Sequence, residues 1–265
     1  MLGLGNKISS TRFSHRMKGA FMVDTEDGYY VANTDDEFSN WDNWTIAIWL
    51  NTTSWSKILG TTGSEIEKIF SLSDASATNK GFMIGTYGGN LYLFVGNGTA
   101  DTYSANNMIP WHSTHNVQQS AGSHVLIVAR REAAEEEITL NTYSAYKNTS
   151  DTDSGVDAHW GDLGDNVHLV VGGVDDTNSG VNIDGEWTGN SRVAQIGMWK
   201  SFLSDANLTT IWESKNTPLT NLGIGTIRHC WAFNEHALGP TATIVDTGGT
   251  VRNLTRAGDA IIRSW

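Results

Sequence analysis

Apolar and polar residues alternate through most of the chain, and this period of two predicts short β-strands. In "NWTIAIWLNTTS" every second position is large and apolar, which gives the series Trp44, Ile46, Ile48 and Leu50. "NLYLFVGNG" shows the same alternation and ends in a Gly-Asn-Gly turn. Each large side chain buried on such a strand stabilises the fold by about 1.5–3 kcal/mol. The pattern therefore predicts a core built from strands.

A hairpin and a buried strand follow later in the chain. "HVLIVARREAAEEEITLNTYSAY" contains an apolar strand, an acidic tip and a returning strand, which is a hairpin pattern. "NVHLVVGGV" indicates a buried strand that ends in a Gly-Gly turn. Strands and turns recur at the spacing of a sandwich, without a repeat of fixed period. We predict an all-β domain over residues 18–265, built as a two-sheet antiparallel β-sandwich.

One short helix near 204–216 interrupts the strands. The segment "SRVAQIGMWKSFLSDANLTTIWES" begins as a strand in which Ala194, Ile196 and Met198 share one face. Ser204 is then placed to cap a helix. The apolar stripe of that helix consists of Leu208, Ile211 and Trp212. We expect the helix to cover the sandwich and the indoles of Trp199 and Trp212 to serve packing alone.

Composition excludes several classes of protein. The net charge of −12 argues against a nucleic-acid binder, which needs a basic face. No apolar run approaches the roughly 20 residues that a helix needs to span a bilayer. Cys230 is the single cysteine, so an intramolecular disulfide is impossible. Beside Trp231 and Phe233 we expect it to be a buried apolar side chain.

The first 17 residues form a separate segment with a charge opposite to that of the rest. Lys7, Arg12, Arg16 and Lys18 are basic, and no acidic residue occurs in "MLGLGNKISSTRFSHRMKG". We predict an extended basic arm over residues 1–17 that docks on another protein. The alternative is a frayed terminus, which is the default state of chain ends. The opening lacks the apolar core of a signal peptide, so we expect synthesis without one.

Several segments in the correct order resemble concanavalin A-like jelly rolls of the laminin G and pentraxin type. They include the helix segment above, "KGAFMVDTEDGYYV", "NWTIAIWLNTTS", "VHLVVGG" and "CWAFNEHALGPTATIVDTGGTVRNLT". The sequence departs from the family where Ala194 and Gln195 replace a usual acidic pair. The resemblance implies two packed antiparallel sheets and makes the helix a structural cap. It indicates a fold and not a chemistry.

The carboxylates do not form the pattern of a glycoside hydrolase. Enzymes on this fold that cleave β-glucans carry acidic residues alternating along one strand. Glu65 and Glu67 in "GSEIEKIF" alternate, but they lack a third acid and lie among polar turn residues. His112 and His115 are close in sequence without further metal ligands. We predict no catalytic residues and a protein that is not an enzyme.

The fold needs no cofactor, and calcium enters only through the resemblance. Members of the family often bind a structural Ca²⁺, and Asp24 and Asp246 lie in the matching turns. The other Asp-rich stretches do not fit the calcium-loop pattern, and Asp and Asn in turns usually cap their own backbone. Asp24 and Asp246 are therefore the candidate metal ligands.

Tryptophan is abundant, with 11 residues in 265, and it suggests sugar binding. Four of these side chains fall in polar segments, where an exposed indole next to Asp and Asn stacks on a sugar ring: Trp55, Trp111, Trp160 and Trp187. The alternative for each is to cover an end of the sandwich. We take these four as the candidate glycan-binding residues.

The opening "MLGLGNKIS" resembles the start of virion proteins encoded by bacteriophages. Our leading hypothesis is a non-enzymatic virion surface protein, a capsid decoration or fibre component made in the host cytoplasm. It would form homo-oligomers, contact other capsid or tail proteins and bind host-surface glycans. One alternative is a carbohydrate-binding lectin module outside a virion. A weaker alternative is a glycoside hydrolase.

Overall fold

The computed structural model describes residues 18–21, 28–33, 35–39, 41–52, 67–74, 80–87, 90–97, 108–110, 123–135, 137–144, 148–153, 167–175, 183–184, 191–214, 217–233, 236 and 238–264. In chain order the strands are β1 (Lys18–Phe21), β2 (Tyr29–Asn33), β3 (Trp44–Thr52), β4 (Glu67–Asp74), β5 (Lys80–Tyr87), β6 (Asn90–Asn97), β7 (Met108–Pro110), β8 (Ser123–Glu132), β9 (Glu137–Ser144), β10 (Asn148–Asp153), β11 (Val167–Val171), β12 (Val174–Asp175), β13 (Ile183–Asp184), β14 (Ser191–Trp199), β15 (Ile227–Ala232), β16 (Thr243–Ile244), β17 (Leu254–Ala257) and β18 (Ile261–Ser264). The described α-helix, α1, spans Asp205–Glu213, and short 3-10 turns cover Asp35–Phe38 and Leu219–Asn221.

Two eight-stranded antiparallel sheets form the architecture, as the sequence predicts. The first sheet has the order β10-β9-β8-β3-β14-β1-β18, with β15 also paired to β14. The second has the order β16-β17-β2-β11-β4-β5-β6-β7. The predicted hairpin is β8 and β9. No described helix is long and apolar enough to cross a membrane.

Both faces of β3 are buried, which explains why apolar residues also occupy its second face. Trp44, Ile46 and Ile48 belong to the inner core between the sheets. Ala47 and Trp49 point the other way and belong to a second buried cluster on the outer face of the first sheet. That cluster also contains Cys230, which confirms that the cysteine is a buried apolar side chain.

The alternation in β14 breaks where the sequence predicts one continuous face. The register with β3 shifts between Val193 and Gln195, so β14 carries one extra residue there. Such a bulge reverses the faces on its two sides. Val193, Ile196 and Met198 therefore lie in the inner core, whereas Ala194 lies in the outer cluster. The prediction that Ala194 shares a face with Ile196 is wrong for this reason.

Two element boundaries predicted from the sequence also differ from those in the structure. Helix α1 ends at Glu213 with Ser214 as its C-cap, so it is shorter than 204–216. Its N-cap is Ser204, whose hydroxyl accepts a hydrogen bond from the Asn207 N–H at 3.4 Å. Glu67 begins β4 and is not in a turn. The strand extends further because its pairing with β5 and β11 reaches beyond the apolar run.

Helix α1 is attached to the outer face by side chains from two strands. Thr45 donates from its hydroxyl to the Ser201 carbonyl at 2.9 Å and accepts from the Leu203 N–H at 3.0 Å. Arg130 donates to the Leu203 carbonyl at 2.6 Å and to the Asp205 carboxylate. Its guanidinium also lies 4.6 Å above the centre of the Phe202 ring. These contacts fix the start of the helix.

Candidate functional site

Most of the site residues predicted from sequence lie outside the described residues. They are Trp55, Trp111, Trp160, Trp187, Asp24, Lys7, Arg12 and Arg16. The backbone of Lys18 is described: it begins β1 and pairs with Ser264 of β18. The assignment of all these predicted residues to glycan binding, metal binding or the partner-binding arm stays a prediction.

The candidate metal ligand Asp246 is buried, and its carboxylate accepts several hydrogen bonds from the protein itself. Oδ1 accepts from the N–H groups of Cys230 at 2.8 Å and Gly248 at 2.9 Å. Oδ2 accepts from the Arg252 N–H at 3.0 Å and lies 2.7 Å from Nδ1 of His229. The described residues hold no group of three or more side chains suited to a metal ion. What the structure shows for Asp246 is a turn-organising role.

Gly248, two positions after Asp246, lies where a side chain would clash with the backbone of β15. A Cβ atom on Gly248 would lie 2.3 Å from the carbonyl oxygen of Arg228. The N–H of Asp246 donates to the side-chain oxygen of Asn253 at 3.0 Å, which closes the loop. The "Asp-x-Gly-Gly" and "Asn-Leu" pattern therefore encodes a tight turn held around one carboxylate.

His229 connects this turn to the aromatic end of the core. Its ring lies nearly parallel to the indoles of Trp231 and Trp41, with centroids 5.5 and 6.3 Å away. Because a carboxylate only accepts, Nδ1 of His229 carries the hydrogen toward Asp246. Glu37 accepts from Nε of Arg228 at 3.1 Å. The carboxylates of Glu37 and Asp246 are thus held by neighbouring donors.

A second group of side chains, on the outer face of the first sheet, combines aromatic rings with polar atoms. We call Trp49, Asn141, Tyr143 and Trp212 the outer patch. Trp212 of α1 is half-buried and stacks on Trp49 with centroids 5.6 Å apart, and on Tyr143 at 6.0 Å. In the sheet, Trp49 pairs with Leu126 of β8, and Leu126 pairs with Tyr143 of β9. Trp212 therefore bridges rings that stand two strands apart.

The patch contains polar atoms that the sequence pattern alone did not reveal. Trp49 and Asn141 are each about 1% exposed. Nε1 of Trp49 and Oδ1 of Asn141 are buried without a hydrogen-bond partner. Alternation places Asn141 and Tyr143 on one face of β9, and this was the available signal. Their relation to Trp49 and Trp212 depends on strand order and helix docking.

The electrostatics of the patch keep the Tyr143 phenol neutral. Burial raises the pKa of Tyr143 above its ordinary value, and this effect exceeds the lowering by the Asn141 side chain and by Arg130. The nearby Asp205 carboxylate adds to the increase. Arg130 and Asp205 themselves form an ion pair. All four side chains of the outer patch are therefore uncharged at neutral pH.

Gln195, which stands where the sequences that this chain resembles have an acidic residue, has a structural role. Oε1 of Gln195 accepts from the Leu219 N–H at 3.1 Å, and its amide nitrogen donates to the Thr217 carbonyl at 3.5 Å. A carboxylate at this position could accept but not donate. The amide thereby attaches the 3-10 turn after α1 to the outer face of β14.

Comparison with known proteins identifies the fold. No family model matches the sequence, and no curated protein matches it. The native heptameric SAP-like pentraxin from Limulus polyphemus is 12% identical with a TM-score of 0.53, covering 91% of this chain and 96% of the pentraxin. A sialidase CBM40 from Ruminococcus gnavus is 12% identical (TM-score 0.46, covering 75% and 98%), and the LG1-3 region of the laminin α2 chain is 13% identical (TM-score 0.44, covering 69% and 31%).

At 12% identity the pentraxin likeness establishes the fold alone. Together with the two antiparallel sheets and the short α-helix of the described residues, it confirms the concanavalin A-like jelly-roll fold that the sequence predicts. The chain is thus a two-sheet antiparallel β-sandwich of the jelly-roll type.

Proposed function

We propose that this chain is a non-enzymatic virion surface structural protein, a capsid decoration or fibre component that anchors to other virion proteins and binds host-surface glycans. It would be made in the host cytoplasm, be displayed on the particle and form homo-oligomers. One observation carries the anchoring part of the proposal. Of the 17 basic residues four lie in positions 1–18, where none of the 29 acidic residues occurs.

The strand that follows the arm lies near one edge of the first sheet. Lys18 enters β1, which lies between β14 and the edge strand β18 of the first sheet. The arm is therefore joined to the sandwich one strand from a sheet edge. Basic side chains at Lys7, Arg12 and Arg16 attract acidic groups on a neighbouring virion protein. Apolar Leu2, Leu4 and Ile8 would add buried area there.

The non-enzymatic part is supported by the use of the buried carboxylates. Asp246 accepts three backbone hydrogen bonds and contacts His229, and Glu37 accepts from Arg228. A general acid or nucleophile for glycoside hydrolysis needs a carboxyl group that reaches substrate. The side chains of Asp246 and Glu37 serve the fold instead.

The arm is tested by deletion and by neutralisation. A chain that lacks residues 1–17, and a second with Lys7, Arg12 and Arg16 changed to Gln, should fail to co-sediment with particles. Both should keep the thermal unfolding midpoint of the full chain. Lys200→Gln, which neutralises an exposed lysine on the sandwich, is the matched control and should co-sediment normally.

Added salt should weaken binding of the full chain, because exposed charges are screened. Normal incorporation of the truncated chain would refute the anchoring role.

A lectin module outside a virion is the second candidate. The observation in its favour is the lectin-like sandwich together with four tryptophans in polar segments. A glycan array with the isolated chain and with Trp111→Ala and Trp187→Ala tests it. Glycan binding by a protein that is absent from purified particles would favour this candidate. Detection of the protein in purified particles by mass spectrometry would favour the virion role.

A further inference from the structure

We propose that one side of the sandwich binds the opposite side of a second copy of this chain, so that copies associate head to tail. The first surface, which we call the closing side, consists of residues 238–264. The second surface, which we call the acidic turn, consists of Asp42 and residues 132–135. This inference rests on the homo-oligomer of the proposed function, and it names the two surfaces that would form it.

The first observation concerns exposed apolar side chains. Among the described residues, the exposed large apolar side chains are those of Leu238, Val245 and Val251, at 57%, 48% and 63%. All three belong to the closing side. Single exposed apolar residues are common on monomeric proteins, whereas a group of them on one side marks an interaction surface.

Leu238 lies at the edge of the first sheet. Its neighbour Gly239 exchanges two backbone hydrogen bonds with Ile262 of β18, each 2.8 Å long. Because β18 is the last strand in the path of that sheet, Leu238 lies beyond it. Lys18 pairs with Ser264 of the same strand, so the arm begins next to the closing side.

Val245 and Val251 lie on the same side of the sandwich, in the loop between β16 and β17. This loop follows β15, where the Thr250 N–H donates to the Arg228 carbonyl at 3.0 Å. Strands β15 and β1 both pair with β14 along the edge opposite to β3. The loop and β18 are therefore on one side of the sandwich, and the three apolar side chains share it.

The second observation concerns charge. Positions 238–265 hold three of the 17 basic residues and two of the 29 acidic ones, whereas the rest of the sandwich is strongly acidic. Of the two acidic side chains, Asp246 is buried and Asp259 is exposed. Arg252 and Arg256 are half-buried, so both reach the surface. An acidic surface on another copy would complement this side.

The acidic turn is such a surface. Glu135 and Asp42 are exposed, and Glu132 is half-buried. Arg131 joins the two parts of the turn by donating to the Asp42 carbonyl, but its side chain is buried. The exposed charge is therefore negative. In the first sheet β8 lies on the β3 side of β14 and β18 lies on the other, so the acidic turn and the closing side are on opposite sides of the sandwich.

This placement decides how the copies would meet. One chain cannot bring its own two opposite sides together, but the closing side of one copy can contact the acidic turn of the next. Contact through two unlike surfaces is heterologous, and it produces rings or filaments. Burial of the three apolar side chains would supply affinity, and the opposite charges would orient the copies.

The test measures the mass of the full chain in solution by size-exclusion chromatography with light scattering. One variant carries Leu238→Glu and Val251→Glu on the closing side, and the other carries Glu132→Lys and Glu135→Lys on the acidic turn. Glu213→Lys, at an exposed position of α1 outside both surfaces, is the matched control. Circular dichroism checks that every variant is folded.

We expect the full chain and the control to form assemblies of more than two copies, and each variant to associate at least tenfold more weakly. A mixture of the two variants should form a dimer, because one variant retains the acidic turn and the other retains the closing side. The interface is overturned if the full chain is monomeric, if the variants keep the wild-type mass, or if the mixture stays monomeric.

Co-sedimentation with particles, measured on the same proteins, separates this interface from the proposed function. Monomers that co-sediment would overturn the interface and leave the anchoring role intact. Assemblies that depend on both surfaces but do not co-sediment would support the interface and refute the anchoring role.

Discussion

Nδ1 of His229 lies 2.7 Å from Oδ2 of Asp246, and both side chains are fully buried. The two residues join β15 to the turn that follows β16 and leads toward β17. Because the same carboxylate also accepts backbone hydrogen bonds from Cys230, Gly248 and Arg252, one side chain organises the closing segment of the sandwich.

Replacing Asp246 should destabilise the protein strongly. Asp246→Ala leaves the N–H groups of Cys230, Gly248 and Arg252 without their acceptor and removes the partner of His229. We expect the free energy of unfolding to fall by about 3–5 kcal/mol, measured by urea denaturation. Glu135→Gln, at an exposed position in the turn between β8 and β9, should change it little.

A second variant at this position, Asp246→Asn, separates turn organisation from calcium binding. If a chelator leaves the unfolding midpoint of the wild type unchanged, Asp246 acts through its protein hydrogen bonds alone. If the chelator lowers that midpoint, and the effect disappears in Asp246→Asn, the calcium expectation for Asp24 and Asp246 is supported.

A methyl group at position 248 should be poorly tolerated. In Gly248→Ala the new Cβ would meet the Arg228 carbonyl at 2.3 Å and the His229 Cα at 2.6 Å, so backbone must move. Overpacking of this kind costs about 1–3 kcal/mol or more. Gly249→Ala is the matched control, because its Cβ would lie 3.4 Å from the Ile227 carbonyl. Equal unfolding midpoints for the two variants would contradict this geometry.

Arg130 and Asp205 should contribute unequally although they form one ion pair. The Arg130 side chain is 7% exposed and also donates to the Leu203 carbonyl, whereas Asp205 is 84% exposed. Arg130→Met should lower the free energy of unfolding by about 1–3 kcal/mol, because it leaves the carbonyl unpaired. Asp205→Asn should cost less than about 1 kcal/mol and lose its effect in high salt. A larger effect of Asp205→Asn in urea denaturation would show that the pair, and not the buried donor, fixes α1.

Tyr30 should make stability depend on pH in the alkaline range. Burial raises the pKa of Tyr30 to about 12, against a smaller lowering by Arg256. Its hydroxyl donates to the Thr241 carbonyl at 3.0 Å. A raised folded-state pKa means that stability is fully present below pH 10 and falls as pH rises from about 10 to about 12, because the unfolded chain ionises first.

The measurement is the unfolding midpoint at several pH values between 8 and 12. Near pH 8, Tyr30→Phe should be less stable than the wild type, because the variant lacks the hydrogen bond to Thr241. The difference between the two proteins should shrink above about pH 10. A constant difference across the range would mean that Tyr30 ionises at its ordinary pKa.

The sequence by itself determined the features that depend on local periodicity. Alternation along β3 and the β8–β9 hairpin, the cap at Ser204 and the apolar stripe with Leu208 and Ile211 all indicate their elements correctly. These patterns are readable because strand and helix geometry fixes which neighbours along the chain share a face. Their order also indicates the sandwich.

Only the tertiary structure decided what each face meets. The bulge in β14 moves Ala194 to the outer cluster, since its register is set by pairing with β3. Trp49, Tyr143 and Trp212 come from three elements, and strand order with helix docking brings their rings together. Asp246 reaches His229 across 17 positions of sequence. Such contacts join residues that no local period relates, because they depend on how distant segments of the chain pack in three dimensions.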